Sequence, residues 1–143
     1  MIDKLLGDPT ARMLEQTLSF TEQRHALLAE DIANVDTPGY VARDVAPRDF
    51  QVALRKAAAK QQASFNSVYE AESTGDVEFE KGSGRVSLKP KMIAGGSAFY
   101  DKGVRSMEYM MGQLADNAQA HNMAAAFLKG RYDLMARAIS MRV

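Results

Sequence analysis

One stretch constrains this chain more than any other: Asp31-Ile32-Ala33-Asn34-Val35-Asp36-Thr37-Pro38-Gly39-Tyr40. An apolar helical pattern runs up to it and stops there. Pro38 drives Thr37 out of the helical region. Pro38-Gly39 suits the centre of a type II turn, with glycine supplying the positive φ. A β-branched residue at Gly39 would strain that turn. Tyr40-Val41-Ala42 then reads as extended. The chain must therefore hold a helix, a fixed turn and a segment leaving in a set direction.

The helix begins at Asp8-Pro9. Asp8 can cap free amides, and proline tolerates the first helical position because its missing N–H had no partner there. From there Ala11, Leu14, Leu18, Thr21, His25, Leu28, Ile32 and Val35 follow an alternating three–four spacing, that of a coiled-coil seam. A helix from Pro9 to Val35 would be about 40 Å long. The C-terminal third repeats the pattern in Met107, Met111, Leu114, Ala118, His121, Ala125, Leu128, Tyr132, Met135 and Ile139. Ser106 is the expected cap, with Glu108 favoured by the helix dipole. From Ser106 to Met141 this helix would span about 54 Å. The expected pairing seam is Leu14, Leu18, His25, Leu28 and Ile32 against Met111, Leu114, His121, Leu128, Met135 and Ile139.

Both helices carry surplus apolar surface. Beside the C-terminal seam lie Ala120, Ala124, Phe127, Leu134, Ala138 and Met141. Beside the N-terminal one lie Met13, Phe20 and Leu27. Two paired helices bury one stripe each, so the remainder needs another partner. Either the middle of the chain covers it, or other molecules do.

The middle is different in character. Ala53–Gln62 reads as a short helix. Val77–Glu80 and Arg85–Leu88 alternate as short strands do, around Lys81-Gly82-Ser83-Gly84, which suggests a β-hairpin. The expected architecture is mainly α: long terminal helices pair as an antiparallel coiled-coil-like hairpin, with an irregular middle segment. In residue terms, 1–50 holds the first helix and turn, 51–105 a variable middle, and 106–143 the second helix.

Charge and chemistry exclude much. Lys plus Arg and Asp plus Glu are both 18, so no basic excess marks a nucleic-acid surface. Cysteine is absent, which removes disulfides and thiolate metal sites. Neither a signal peptide nor a run approaching the roughly 20 apolar residues of a membrane span is evident. Glu22-x-x-His25 has metal-ligand spacing, but di-iron bundles need it twice, and Ala118 precedes the other histidine, His121. The histidines read as hydrogen-bonded seam residues, and Glu15, Glu22, Arg24 and Glu30 as a solvated face. No nucleophile elbow or phosphate-loop pattern appears. No catalytic function, cofactor, metal or small-molecule substrate is expected.

Asn34, Thr37, Pro38, Gly39 and Tyr40 match the Asn-x-x-Thr-Pro-Gly-Tyr signature of the bacterial flagellar rod and hook proteins, which this chain resembles. The resemblance extends over residues 8–50 and 106–139, and is nearest to the short subunit of the proximal rod. One departure lies at Tyr100–Glu108, where the family often carries Asn-x-Val-Asp. The resemblance implies a structural subunit of the basal-body rod, in the periplasm, that transmits motor torque. It implies export through the flagellar type III apparatus without a cleaved signal. Its implied partners are other rod subunits, further copies of itself and the adaptor at the rod base. The competing expectations are another rod subunit, or a cytoplasmic helical-hairpin adaptor or export chaperone.

A monomer with little core would be loosely ordered, since ordering costs about 1–2 kcal/mol per residue in backbone entropy. Helicity in dilute solution is expected to be low and to rise on assembly. Circular dichroism across a concentration series checks this, and cooperative, concentration-independent melting would contradict it.

Overall fold

The computed structural model describes residues 8–63, 69–93 and 103–140. Helix α1 spans Pro9–Ala33, strand β1 Arg43–Asp44 and helix α2 Pro47–Ala63. Strands β2 (Val77–Phe79), β3 (Val86–Leu88) and β4 (Lys91–Met92) follow, then helix α3 (Gly103–Ser140). The two long terminal helices pair antiparallel: Arg24 meets Gln113, Thr21 meets Asn117, and Glu15 meets Tyr132. The chain is thus mainly helical, as its apolar periodicity predicts.

Helix α1 starts as its sequence dictates. Asp8 accepts from the Thr10 N–H at 3.1 Å, with Pro9 in the first turn. It ends at Ala33, two residues before Val35, with Asn34 as its C-cap. Helix α3 starts at Gly103, so Ser106 lies inside its first turn and is not the cap. A helix, once nucleated, extends wherever the next residues tolerate it. The predicted end of α3, Met141, lies outside the described residues. At 1.5 Å per residue α3 is about 57 Å long and α1 about 37 Å.

The middle is more regular than the sequence suggested. Helix α2 begins at Pro47, not Ala53, with Asp49 in its first turn and Lys60 in its last. Both charges suit the helix dipole. Phe50, Ala53, Leu54 and Ala57 recur at i, i+3, i+4 and i+7 and are all buried. Strands β2 and β3 form the expected hairpin, with Val77 opposite Leu88 and Phe79 opposite Val86. Val77 and Phe79 point inward and Glu78 outward. β1 pairs antiparallel with β4, Arg43 opposite Met92 and Asp44 opposite Lys91, so the segment leaving the turn is held by a strand from the far end of the middle segment.

These pieces enclose one core on the second apolar row of α1. Phe20 stacks on Phe50 with ring centroids 4.1 Å apart, and Phe50 on Phe79 at 5.8 Å. Leu27, Val45, Ala53, Leu54, Tyr69, Val77 and Val86 complete it, with Met13 packed at its edge. The middle therefore covers the surplus surface of α1. It also gives a single chain more core than the sequence reading allowed. Polar groups of α1 close the hairpin: Gln23 Nε2 donates to the Val86 carbonyl at 2.6 Å, and Ser19 Oγ accepts from the Val86 N–H at 3.2 Å. On the far strand, Ser73 Oγ accepts from the Phe79 N–H at 3.0 Å.

Phe50 touches aromatic rings on both sides, so its removal leaves a hole that neither neighbour can fill. Phe50→Ala is expected to cost about 3–5 kcal/mol, the usual loss for a buried aromatic. Urea unfolding followed at the α-helical circular-dichroism band measures it, and a loss below about 1 kcal/mol would contradict the stacked core.

Candidate assembly interface

The signature turn is built by local hydrogen bonds. Asn34 closes α1 twice: its backbone N–H and its Nδ2 both donate to the Glu30 carbonyl, at 3.1 and 2.8 Å. The Thr37 N–H then bonds the Asn34 carbonyl at 2.9 Å, and the Tyr40 N–H the Thr37 carbonyl at 3.1 Å. Gly39 sits at φ +79°, the left-handed region that side chains disfavour. Asn34, Thr37, Gly39 and Tyr40 thus each take part in closing the turn.

The turn is then tied back to the helix it ends. Asp31, only 1% exposed, accepts from the Tyr40 hydroxyl at 2.6 Å and from the Arg43 N–H at 3.2 Å. Arg43 reaches Glu30 at 3.0 Å. Burial pushes the Asp31 carboxyl above its ordinary value of 3.8, although the Tyr40 hydroxyl and Arg43 pull the other way. Burial and the bond to Asp31 push the Tyr40 hydroxyl up to about 12.

Two turns of helix further back, Arg24 is buried. Its Nε and Nη2 bind the two oxygens of Asp44 at 3.0 and 2.9 Å. Nη2 also donates to Gln113 Oε1 of α3 at 2.8 Å. Asp44 Oδ1 accepts from the Val45 N–H at 2.7 Å as well. A planar guanidinium facing a carboxylate makes two parallel bonds, the geometry that holds orientation as well as charge. Arg24 is therefore no part of a solvated face. Glu15 accepts from the Tyr132 hydroxyl at 3.1 Å, whereas Glu22 is exposed as expected.

The helical seam keeps most of its predicted positions at least half-buried but turns His25, Met111 and Ile139 outward. Leu28 is buried, Leu14, Leu18 and Ile32 are half-buried, and His25 is exposed. On α3, Leu114, His121, Leu128 and Met135 are half-buried, whereas Met111 and Ile139 are exposed. The inward residues instead are Arg24 on α1, and Met110, Asn117 and Ala124 on α3. Both choices have the same three–four spacing, and the apolar pattern favoured His25 and Met111 over rows containing Arg24 and Asn117. Hydrogen bonds decide it: Asn117 Nδ2 donates to the Thr21 carbonyl at 2.7 Å, and Thr21 Oγ lies 2.9 Å from His121 Nδ1. Arg131 also pairs with Asp8.

Ala124, predicted for the outer stripe, is only 4% exposed and belongs to this seam. The rest of that stripe within the described residues is open: Ala120, Phe127, Leu134 and Ala138 are exposed. Phe127 is 61% and Leu134 67% exposed. Met123, 52% exposed, takes the place of Ala124 one turn before Phe127. The stripe continues the three–four rhythm along the flank of α3, a surface suited to another helix.

Curated relatives that match the chain carry the name flagellar basal body rod protein FlgB. That of Escherichia coli (strain K12) is 46% identical over 56 residues, covering 39% of this chain and 37% of the relative. That of Yersinia enterocolitica is 40% identical over 68 residues, covering 48% and 46%. That of Salmonella typhimurium is 45% identical over 56 residues, covering 39% and 37%. The matched stretch spans less than half the length of each relative. No family model and no solved structure matches the chain.

Folded Asp31 holds its proton more tightly than unfolded Asp31 does. The stability due to this difference is fully present below about pH 4 and is lost as pH rises through the raised value. The stability of the native chain relative to Asp31→Asn, whose amide cannot titrate, is therefore expected to fall on going from pH 4 to pH 7. Urea unfolding at constant ionic strength checks this, and a pH-independent difference would contradict it.

Proposed function

We propose that this chain is a structural subunit of the bacterial flagellar basal-body rod, in its proximal part. The observation that carries the reading is the likeness to the FlgB proteins, joined to a signature turn held by hydrogen bonds of its own. The terminal helices pair into a stiff element, and the Thr37–Tyr40 turn sets the direction in which the middle leaves it. The open stripe at Ala120, Met123, Phe127, Leu134 and Ala138 meets neighbouring copies or other rod subunits. A contact between two different faces of one molecule grows a helical filament when its rotation does not close into a ring. Such a filament is the shaft that carries torque across the periplasm.

The same reading supplies the partners and the route. Neighbouring rod subunits and the adaptor at the rod base flank the chain. It leaves the cell through the flagellar type III apparatus. Among the described residues no helix is long and apolar enough to cross a membrane, which is compatible with passage through such an apparatus. This reading gives the chain a structural role, with no catalysis, cofactor, nucleic acid or small-molecule substrate.

Deleting the gene in its source bacterium is expected to abolish rods and hooks while the membrane ring persists, as seen by electron microscopy of the envelope. The intact gene should restore them. A Phe127→Asp/Leu134→Asp pair alters only exposed side chains, so the purified protein should keep its melting curve but fail to restore swimming. Normal flagella in the deletion strain would overturn the rod reading. Full rescue by the double variant would overturn the stripe alone.

A further inference from the structure

The side of α2 turned away from the core carries Arg48, Val52, Arg55 and Ala59, all exposed. They stand four, three and four positions apart, which places them in one row along the helix. Val52 is 41% exposed, an apolar side chain left open between two guanidinium groups. Lys56 flanks the row. Asp49 is the single acid of α2, against Arg48, Arg55, Lys56 and Lys60. Among the described residues Arg48, Arg55 and Lys56 pair with no carboxylate.

The open stripe of α3 has the opposite character over its first half. Asp116, Ala120, Met123 and Phe127 are exposed and repeat the spacing of four, three and four. Glu108 and Tyr109, exposed as well, continue the flank toward the helix start. Between Met107 and Leu128 the charged residues are Glu108 and Asp116, with no lysine or arginine. Among the described residues neither acid pairs with a cation. The bulk of Met123 and Phe127 on one row suits the small Ala59 and the open Val52 on the other, as ridges suit grooves. Both rows are exposed in the same chain, so they do not meet within it. The chain has no net charge, so the cations gathered on α2 are balanced by acids elsewhere on the same molecule. Copies therefore attract through unlike faces, and charge complementarity selects which faces meet.

We infer that the outward face of α2 receives the α3 stripe of a second copy, with Arg48, Arg55 and Lys56 against Glu108 and Asp116 and the apolar side chains between them. The inference rests on the reading that the stripe meets neighbouring copies, and it names the face those copies offer. Pairing α2 of one copy with α3 of the next leaves one unused face of each kind at the two ends, so the contact is heterologous and can be repeated.

Sedimentation velocity on the full chain over a concentration series tests this. The native chain is expected to self-associate, and less so as salt rises, because exposed charges are screened. Arg48→Glu/Arg55→Glu and Glu108→Lys/Asp116→Lys alter only exposed side chains, so each should keep the native melting curve. Each variant alone is expected to associate at least about tenfold more weakly, since like charges then face each other. Mixed in equal amounts the two should associate again, because each supplies the face the other lacks. A native chain that stays monomeric overturns the inference, and so does a loss in both variants that mixing does not restore. Association unchanged by Arg48→Glu/Arg55→Glu overturns it too. If Phe127→Asp/Leu134→Asp still abolishes association in that case, the stripe reading stands with a different receiving face.

Discussion

The buried guanidinium of Arg24 is the point through which the parts of this chain are joined. It lies on α1, binds the carboxylate of Asp44 just beyond the signature turn, and reaches Gln113 on the opposite helix. An unpaired buried charge costs several kcal/mol, and removing one partner of a buried pair typically costs about 3–5 kcal/mol. Its side chain is 3% exposed, so the pair is not a surface decoration screened by salt. The turn must therefore deliver Asp44 to one place. The bonds from Tyr40 and Arg43 to Asp31 act on the same few residues and leave the segment little freedom to go elsewhere.

Helix α1 shows how one element serves two layers. Its Phe20 and Leu27 row enters the core beneath α2 and the hairpin. Its Thr21, Arg24 and Leu28 side supports α3. The first row is aromatic and aliphatic and excludes water. The second mixes leucine with groups that hydrogen-bond, and such groups select one axial register because a slip of one turn would leave them unmatched. The asymmetry extends to α3, whose apolar residues divide between the seam and the open flank.

Much of this was legible in the sequence, for definite reasons. The helix start at Asp8-Pro9, the turn at Thr37-Pro38-Gly39 and the hairpin at Val77–Leu88 each rest on local chemistry, and local chemistry survives folding. The antiparallel pairing followed from apolar spacing. The seam's second row did not, because Arg24 and Asn117 look like surface residues until Asp44 and the Thr21 carbonyl are brought to them by tertiary structure. Helix α2 was read six residues short, although Pro47 and Asp49 are start signals that could have extended it. The burial of Asp31 had only one trace in the sequence, its place a turn before the helix end, opposite a tyrosine that folds back.

The bonds that Ser19 and Gln23 make to Val86, and that Ser73 makes to Phe79, have a bearing on solubility. A two-stranded sheet exposes backbone donors and acceptors along both margins, and open margins recruit strands from other molecules. Here side chains occupy ladder positions on both margins, so the hairpin offers a poor template for such recruitment. A chain with no net charge has little electrostatic repulsion to keep its copies apart. For it, closing the margins of the hairpin guards against disordered aggregation.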